Sequence, residues 1–125
     1  LPAEVIRRLV TDLKDPKRFL TDHGLATEHP TSPYYQADGY WRGPIWAPST
    51  MLLVDSLNAI GEREFACELS RRFCALVARS GMAENFDALT GEGLRDRAYS
   101  WTSSVFLLLA NEYLSERKAA EHSPG

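Results

Sequence analysis

The sequence predicts an all-α fold made of two layers of helices, and three observations carry that prediction. Apolar residues recur at spacings of three and four in four separate segments. The second and fourth segments are apolar nearly all round, whereas the third, and less clearly the first, carries a single apolar stripe. That contrast separates inner helices from outer ones. Loops rich in glycine and aromatic residues precede both all-round apolar segments. The two loops therefore belong at one end of the layer, where a ligand could touch both.

The first helix opens after Pro2, with Glu4 in its first turn, and repeats Val5, Ile6, Leu9, Val10 and Leu13 until Asp15-Pro16 stops it. Residues 16 to 44 read as a long connection with turns and no regular element longer than a few residues. Structured loops of that length inside compact domains tend to be functional. The second helix starts near Pro48 and runs through Met51, Leu52, Leu53, Val54, Leu57 and Ile60, with Gly61 as its stop. The third, about residues 62 to 79, sets Phe65, Ala66, Leu69, Phe73, Leu76 and Val77 on one stripe and Glu62, Arg63, Glu68, Arg71, Arg72 and Arg79 toward water. A glycine-punctuated loop, GMAENFDALTGEGLRDRA, leads to the fourth helix, about residues 100 to 116. Ser100 is placed to cap it, leaving Trp101 in the first turn, pointing back over that loop. Val105, Phe106, Leu107, Leu108, Leu109 and Tyr113 make this helix apolar on nearly every side, so it is expected to be buried on most of them. One domain, residues 1 to 116, and a fraying tail, residues 117 to 125, complete the organisation.

Composition narrows the function classes. The 125 residues are 44% hydrophobic and 25% charged, with net charge -3, which fits a folded globular domain. Its 14 basic residues form no run that would attract a polyphosphate backbone, so nucleic acid is not an expected partner. The longest apolar run, residues 105 to 110, is far short of the roughly 20 residues that cross a bilayer; no membrane partner is expected. The opening LPAEVIRRLV reads as a mature interior segment and not as an export signal. Cys67 and Cys74 sit about 10 Å apart along one helix, too far to bridge. Both read as buried thiols, and a cytoplasmic location is the expectation.

Three segments carry candidate chemistry. In DGYWRGPIWAP, residues 38 to 48, the indoles of Trp41 and Trp46 and the donor fork of Arg42 suit a sugar, which shows apolar C–H faces ringed by hydroxyls. Gly39 and Gly43 allow close backbone approach. The same tryptophans could instead plug the end of a helical core. Glu84, in the ENF loop, is a carboxylate beside aromatic groups that could take a proton from water. Asp38, Asp87 and Asp96 are equally available, and composition does not rank them. In YSWTSSVFLLL, residues 99 to 109, Trp101 fits either a pocket rim or the core. His23, His29 and His122 lack metal-ligand spacing, and no nucleophile elbow or C-x-x-C is present.

Taken in order and spacing, YYQADGYWRGPIWAPSTMLL, AENFDALTGEG and YSWTSSVFLLL resemble the C-terminal half of the catalytic domain of glycoside hydrolase family 63: processing α-glucosidase I, bacterial α-glucosidases, and mannosylglycerate or glucosylglycerate hydrolases. Trehalases and amylo-α-1,6-glucosidases are similar. The likeness covers roughly residues 19 to 114. It implies an α/α toroid of six helical hairpins, of which four helices make about two, a partial toroid. It also implies a metal-free, cofactor-free hydrolase that inverts the anomeric carbon of a small α-linked glucoside or mannoside. Residue by residue, Glu84 falls on the general base, with Asn85 and Phe86 beside it and Phe86 standing where the family has tyrosine. Tyr40, Trp41, Arg42, Gly43 and Trp46 fall on the sugar-pocket wall, and Trp101 on the aromatic that helps close it. The family's general acid, an aspartate from an earlier part of the toroid, has no counterpart here. The expectations are therefore an inactive isolated chain, several hundred further residues before Leu1, and a partner that covers its open face: the missing part of the domain or another copy of the chain. The rival class is a non-catalytic carbohydrate-binding or helical interaction module. A truncated reading frame without activity of its own is the third.

Overall fold

The computed structural model describes residues 1–115; the domain boundary at 116, the tail and His122 lie outside them. Helix α1 spans Ala3–Lys14, with Glu4 in its first turn and Lys14 in its last, both favourable to the helix dipole. Asp15, extended before Pro16, ends it. Of its apolar stripe Val10 alone is buried, and Lys14 fastens the helix end by donating to Glu62 at 2.5 Å. Within the long connection, two-residue strands β1 (Leu20–Thr21) and β2 (Gly24–Leu25) pair antiparallel, Leu20 opposite Leu25.

Helix α2 is Ala47–Ala59, with Pro48 tolerated in its first turn. Ile60 caps it, and Gly61 takes the left-handed backbone (φ 90°) that lets the chain reverse. Helix α3, Arg63–Ser80, buries all six residues of its expected stripe, with Ser70 and Cys74 beside them. It packs on α2 and on α4 (Ser100–Leu109), while α2 and α4 also touch each other. One layer is thus α3 and the other is α2 with α4. Val54 and Leu57, Leu69, Phe73, Leu76 and Val77, and Val105 and Leu109 meet between them in one core. Strands β3 (Asn85–Phe86) and β4 (Gly93–Leu94) form a second antiparallel pair in the loop before α4.

Three expectations change. Ser100 is the first residue of α4 and not its cap; extended Tyr99 precedes it, and no side-chain cap bond forms. Helix α4 is not buried on most sides, since Trp101 is 51%, Leu107 64% and Leu108 40% exposed, and Leu52 of α2 is 70% exposed. Both helices turn a second apolar face away from α3, and nothing within the described residues covers it. Cys67 is half-buried and only Cys74 buried, both free; burial pushes the Cys74 thiol up to about 11. After Leu109 the helix widens into one π-helical turn, Ala110–Leu114. There the Tyr113 hydroxyl donates to Asp55 Oδ1 at 3.1 Å. Burial, then that bond, pushes its phenol up to about 12.

Candidate active site

The loops that precede α2 and α4 are stitched together. Ile45 N–H donates to Phe86 O at 2.8 Å, and Phe86 N–H returns the bond to Ile45 O at 3.0 Å. Both residues are fully buried, Phe86 with its ring edge on Phe73. The sequence expectation of two loops at one end therefore rests on a backbone bridge.

The first loop closes on itself. Gln36 N–H donates to Arg42 O at 2.8 Å, and Arg42 Nη2 donates to Gln36 Oε1 at 2.9 Å. Gly43 lies so close to this turn that a Cβ there would run into the Gln36 carbonyl oxygen and the Tyr35 ring. Trp46 is buried, donates its Nε1–H to Tyr40 O at 2.8 Å and lies flat under Trp41, 4.0 Å between centroids at 12°. Tyr40 sets its edge against both indoles. Trp41 remains 46% exposed. Trp46 is thus a support behind Trp41, while Tyr40 and Trp41 face solvent.

In the second loop Glu84 is half-buried. Its N–H donates to Asp96 O at 2.7 Å, and its Oε1 accepts from the Tyr40 hydroxyl at 3.3 Å. Partial desolvation and then the Glu84 carboxylate raise the Tyr40 phenol above its ordinary value, and the Arg95 guanidinium works the other way. The neighbouring carboxylates are occupied. Asp87 Oδ1 accepts from the N–H groups of Leu89 and Thr90, both at 2.9 Å. Asp96 Oδ1 accepts from Ala98 N–H at 2.8 Å, and Asp38 pairs with Arg95 at 2.8 Å. Asn85 is wholly buried with its amide nitrogen and oxygen both unpaired, and Phe86 beside it is buried as well.

Helix α4 fixes this loop from the other side. Thr102 Oγ1 donates to Ala83 O at 2.6 Å, and Tyr99 N–H donates to Met82 O at 2.9 Å. Trp101, next to Thr102, is exposed and stands apart from the Tyr40–Trp41–Trp46 cluster. Trp41 also borders a hollow of about 370 Å³ with Phe19, Thr27, Ser49 and Leu53, which neither Glu84 nor Trp101 lines. The structure brings Tyr40, Trp41, Trp46 and Glu84 together directly, places Arg42 and Gly43 in the supporting turn, and joins the start of α4, which carries Trp101, to the Glu84 loop through the Thr102–Ala83 and Tyr99–Met82 bonds. Sequence reasoning missed Asp38 and Arg95 as neighbours of Tyr40. They lie 57 residues apart, and no local pattern joins them.

Residues 1–102 match the family described as the mannosylglycerate hydrolase MGH1-like glycoside hydrolase domain. A mannosylglycerate hydrolase of Thermus thermophilus is 32% identical over 83 residues, 66% of this chain and 20% of that protein. A second mannosylglycerate hydrolase, from Selaginella moellendorffii, is 33% identical over 92 residues, 72% of this chain and 19% of its own length. The chain thus spans about a fifth of these relatives. Among solved structures, a family 63 mannosylglycerate hydrolase of Thermus thermophilus in complex with Tris and D-glycerate superposes with a TM-score of 0.76 at 28% identity. That match covers 85% of this chain and 26% of the other.

Proposed function

The chain belongs to the mannosylglycerate hydrolase MGH1-like glycoside hydrolase domain family, and on that premise we propose that it is the part of an inverting glycosidase that carries the general base. The substrate class is a small α-linked mannoside or glucoside, with mannosylglycerate the first choice because the relatives are mannosylglycerate hydrolases. Glu84 is the base. Water attacks the anomeric carbon from the face opposite the leaving oxygen, Glu84 takes its proton, and a separate carboxylic acid protonates the leaving oxygen. The exposed face of Trp41, backed by Trp46, is the platform for an apolar sugar face. Arg42, bonded to Gln36, and Gly43 build the turn that presents Trp41, and Trp101 is assigned to the closing of the pocket on the family resemblance.

The observation that carries this reading is the Tyr40–Glu84 hydrogen bond at the edge of the indole stack. A phenol donating to one carboxylate oxygen fixes the group and leaves the other oxygen for water. The second carboxyl group belongs to another part of the domain, roughly 6.5 to 9.5 Å across the sugar. The same reading makes the rest of that domain, or another copy of this chain, the cover for the open faces of α2 and α4, and places the protein in the cytoplasm on its two free cysteines.

One observation favours the alternative, a non-catalytic carbohydrate-binding module. Asp38, Asp87 and Asp96 are all engaged, so Glu84 has no acid partner nearby within the described residues. Proton NMR of the first sugar formed by the complete domain, run against a panel of α-glycosides, separates the two. The β-anomer from mannosylglycerate supports the inverting enzyme; the α-anomer contradicts inversion, and sugar binding without turnover favours the module.

A further inference from the structure

Among the described residues, the non-glycine residues with left-handed backbone are Tyr40 and Arg95, both at φ 63°, and their side chains meet. The Arg95 guanidinium carbon lies 4.9 Å from the Tyr40 ring centroid, within cation–π range. Arg95 Nη2 also donates to Asp38, at 2.8 Å to Oδ1 and 3.3 Å to the backbone carbonyl. The next carbonyl along the chain, that of Asp96, accepts the Glu84 N–H. Residues 95 and 96 therefore hold Glu84 twice: through its own backbone, and through the ring whose hydroxyl donates to its carboxylate.

A half-exposed ion pair would stabilise such a loop little by itself, and the Asp38 side chain is 61% exposed. Left-handed backbone at an L-residue persists only where its surroundings over-determine it. Two such residues meeting in one contact, at the edge of the candidate site, point to a geometric demand on that contact. We propose that Arg95, anchored by Asp38, is a positioning residue that clamps the Tyr40 ring so that its hydroxyl stays on Glu84 Oε1, fixing which carboxylate oxygen is left for water. Arg95 touches no reacting atom. The proposal rests on the reading of Glu84 as the base and adds the device that aims it.

In the chain labelled with 13C at tyrosine Cζ, the Tyr40 resonance, identified by its loss in Tyr40→Phe, reports the titration of this phenol. The charged and titratable neighbours that act on it are Glu84, Tyr99 and Arg95. Removing the cation in Arg95→Met moves the midpoint up, Arg95→Lys falls between, and Glu84→Gln moves it down. An Arg95→Met midpoint equal to wild type overturns the clamp. In the complete glycosidase domain, Arg95→Met lowers kcat about tenfold or more while KM stays within about twofold, and Arg95→Lys regains part of the loss. Full turnover in Arg95→Met, or a loss carried by KM alone, overturns the positioning role. Wild-type turnover in Glu84→Gln removes the base assignment instead, and the phenol midpoint still decides whether Arg95 clamps Tyr40.

Discussion

Asp38, Asp87 and Asp96 each serve a turn or an ion pair, and Glu84 accepts a single phenol bond at the edge of two stacked indoles. That difference in duty ranks four loop carboxylates that composition leaves equal, and it arises from contacts spanning up to 57 residues. The left-handed backbone at Tyr40 costs roughly 1–2 kcal/mol, and the Trp46 bond to its carbonyl and the Arg95 contact oppose that cost. Gly43 shows the same tightness from the other side of the turn. Gly43→Ala forces the Gln36 carbonyl aside and is expected to destabilise the chain by about 1–3 kcal/mol in urea unfolding. An unchanged midpoint would mean that the turn yields freely. The aromatic residues of the candidate site were legible in the sequence because Trp and Tyr crowd a loop broken by glycine and proline. Their division into exposed platform and buried support was not, because Trp41 and Trp46 differ only in what lies behind them.

Helix periodicity located α1 to α4, and the stripe of α3 is buried residue for residue because three- and four-residue spacing is a local signal. Ends and neighbours were less legible. Ser100 has the chemistry of a cap, yet Tyr99 occupies that place, and the π-helical turn after Leu109 has no residue signature. Thr102, an unremarkable residue in the sequence, ties α4 to the Glu84 loop from a fully buried position. Thr102→Val keeps its shape and leaves the Ala83 carbonyl without that donor, for an expected loss of about 1–3 kcal/mol in thermal or urea unfolding; a loss below the error of the measurement would show the carbonyl is satisfied otherwise. Helix α3 also reaches the β1–β2 hairpin through Arg72, which donates to Thr21 O at 2.7 Å while its Nε bonds Glu68. Hydrogen bonds from Arg71 foremost, and from Arg72, hold the Glu68 carboxyl at about 2, below its ordinary 4.5. A depressed folded value means the contribution is complete above pH 4.5 and fades as pH falls through 2. Acid unfolding should therefore show wild type more stable than Glu68→Gln near neutrality, by less than about 1 kcal/mol for a partly exposed pair, with the gap closing between those pH values. A gap independent of pH would contradict this.

As a whole molecule, the chain leaves the apolar faces of α2 and α4 uncovered, among the described residues, at Leu52, Trp101, Leu107 and Leu108. Exposed apolar faces favour association where they form one patch, and we propose that these do. Light scattering of the chain at high concentration should find a dimer or larger form, and Leu107→Glu should shift it toward monomer; a monodisperse wild-type monomer would contradict the association. The layers set where the chemistry stands, since the loops that enter α2 and α4 are bridged at Ile45 and Phe86 and bring Trp41 and Glu84 to one rim. The most direct test is the turnover of mannosylglycerate by the complete glycosidase domain with Glu84 intact and with Glu84→Gln, which keeps the shape and cannot take a proton. A fall in kcat of about a thousandfold or more, with the fold unchanged, is expected if this carboxylate activates the water. Turnover within a few-fold of wild type would place the base elsewhere.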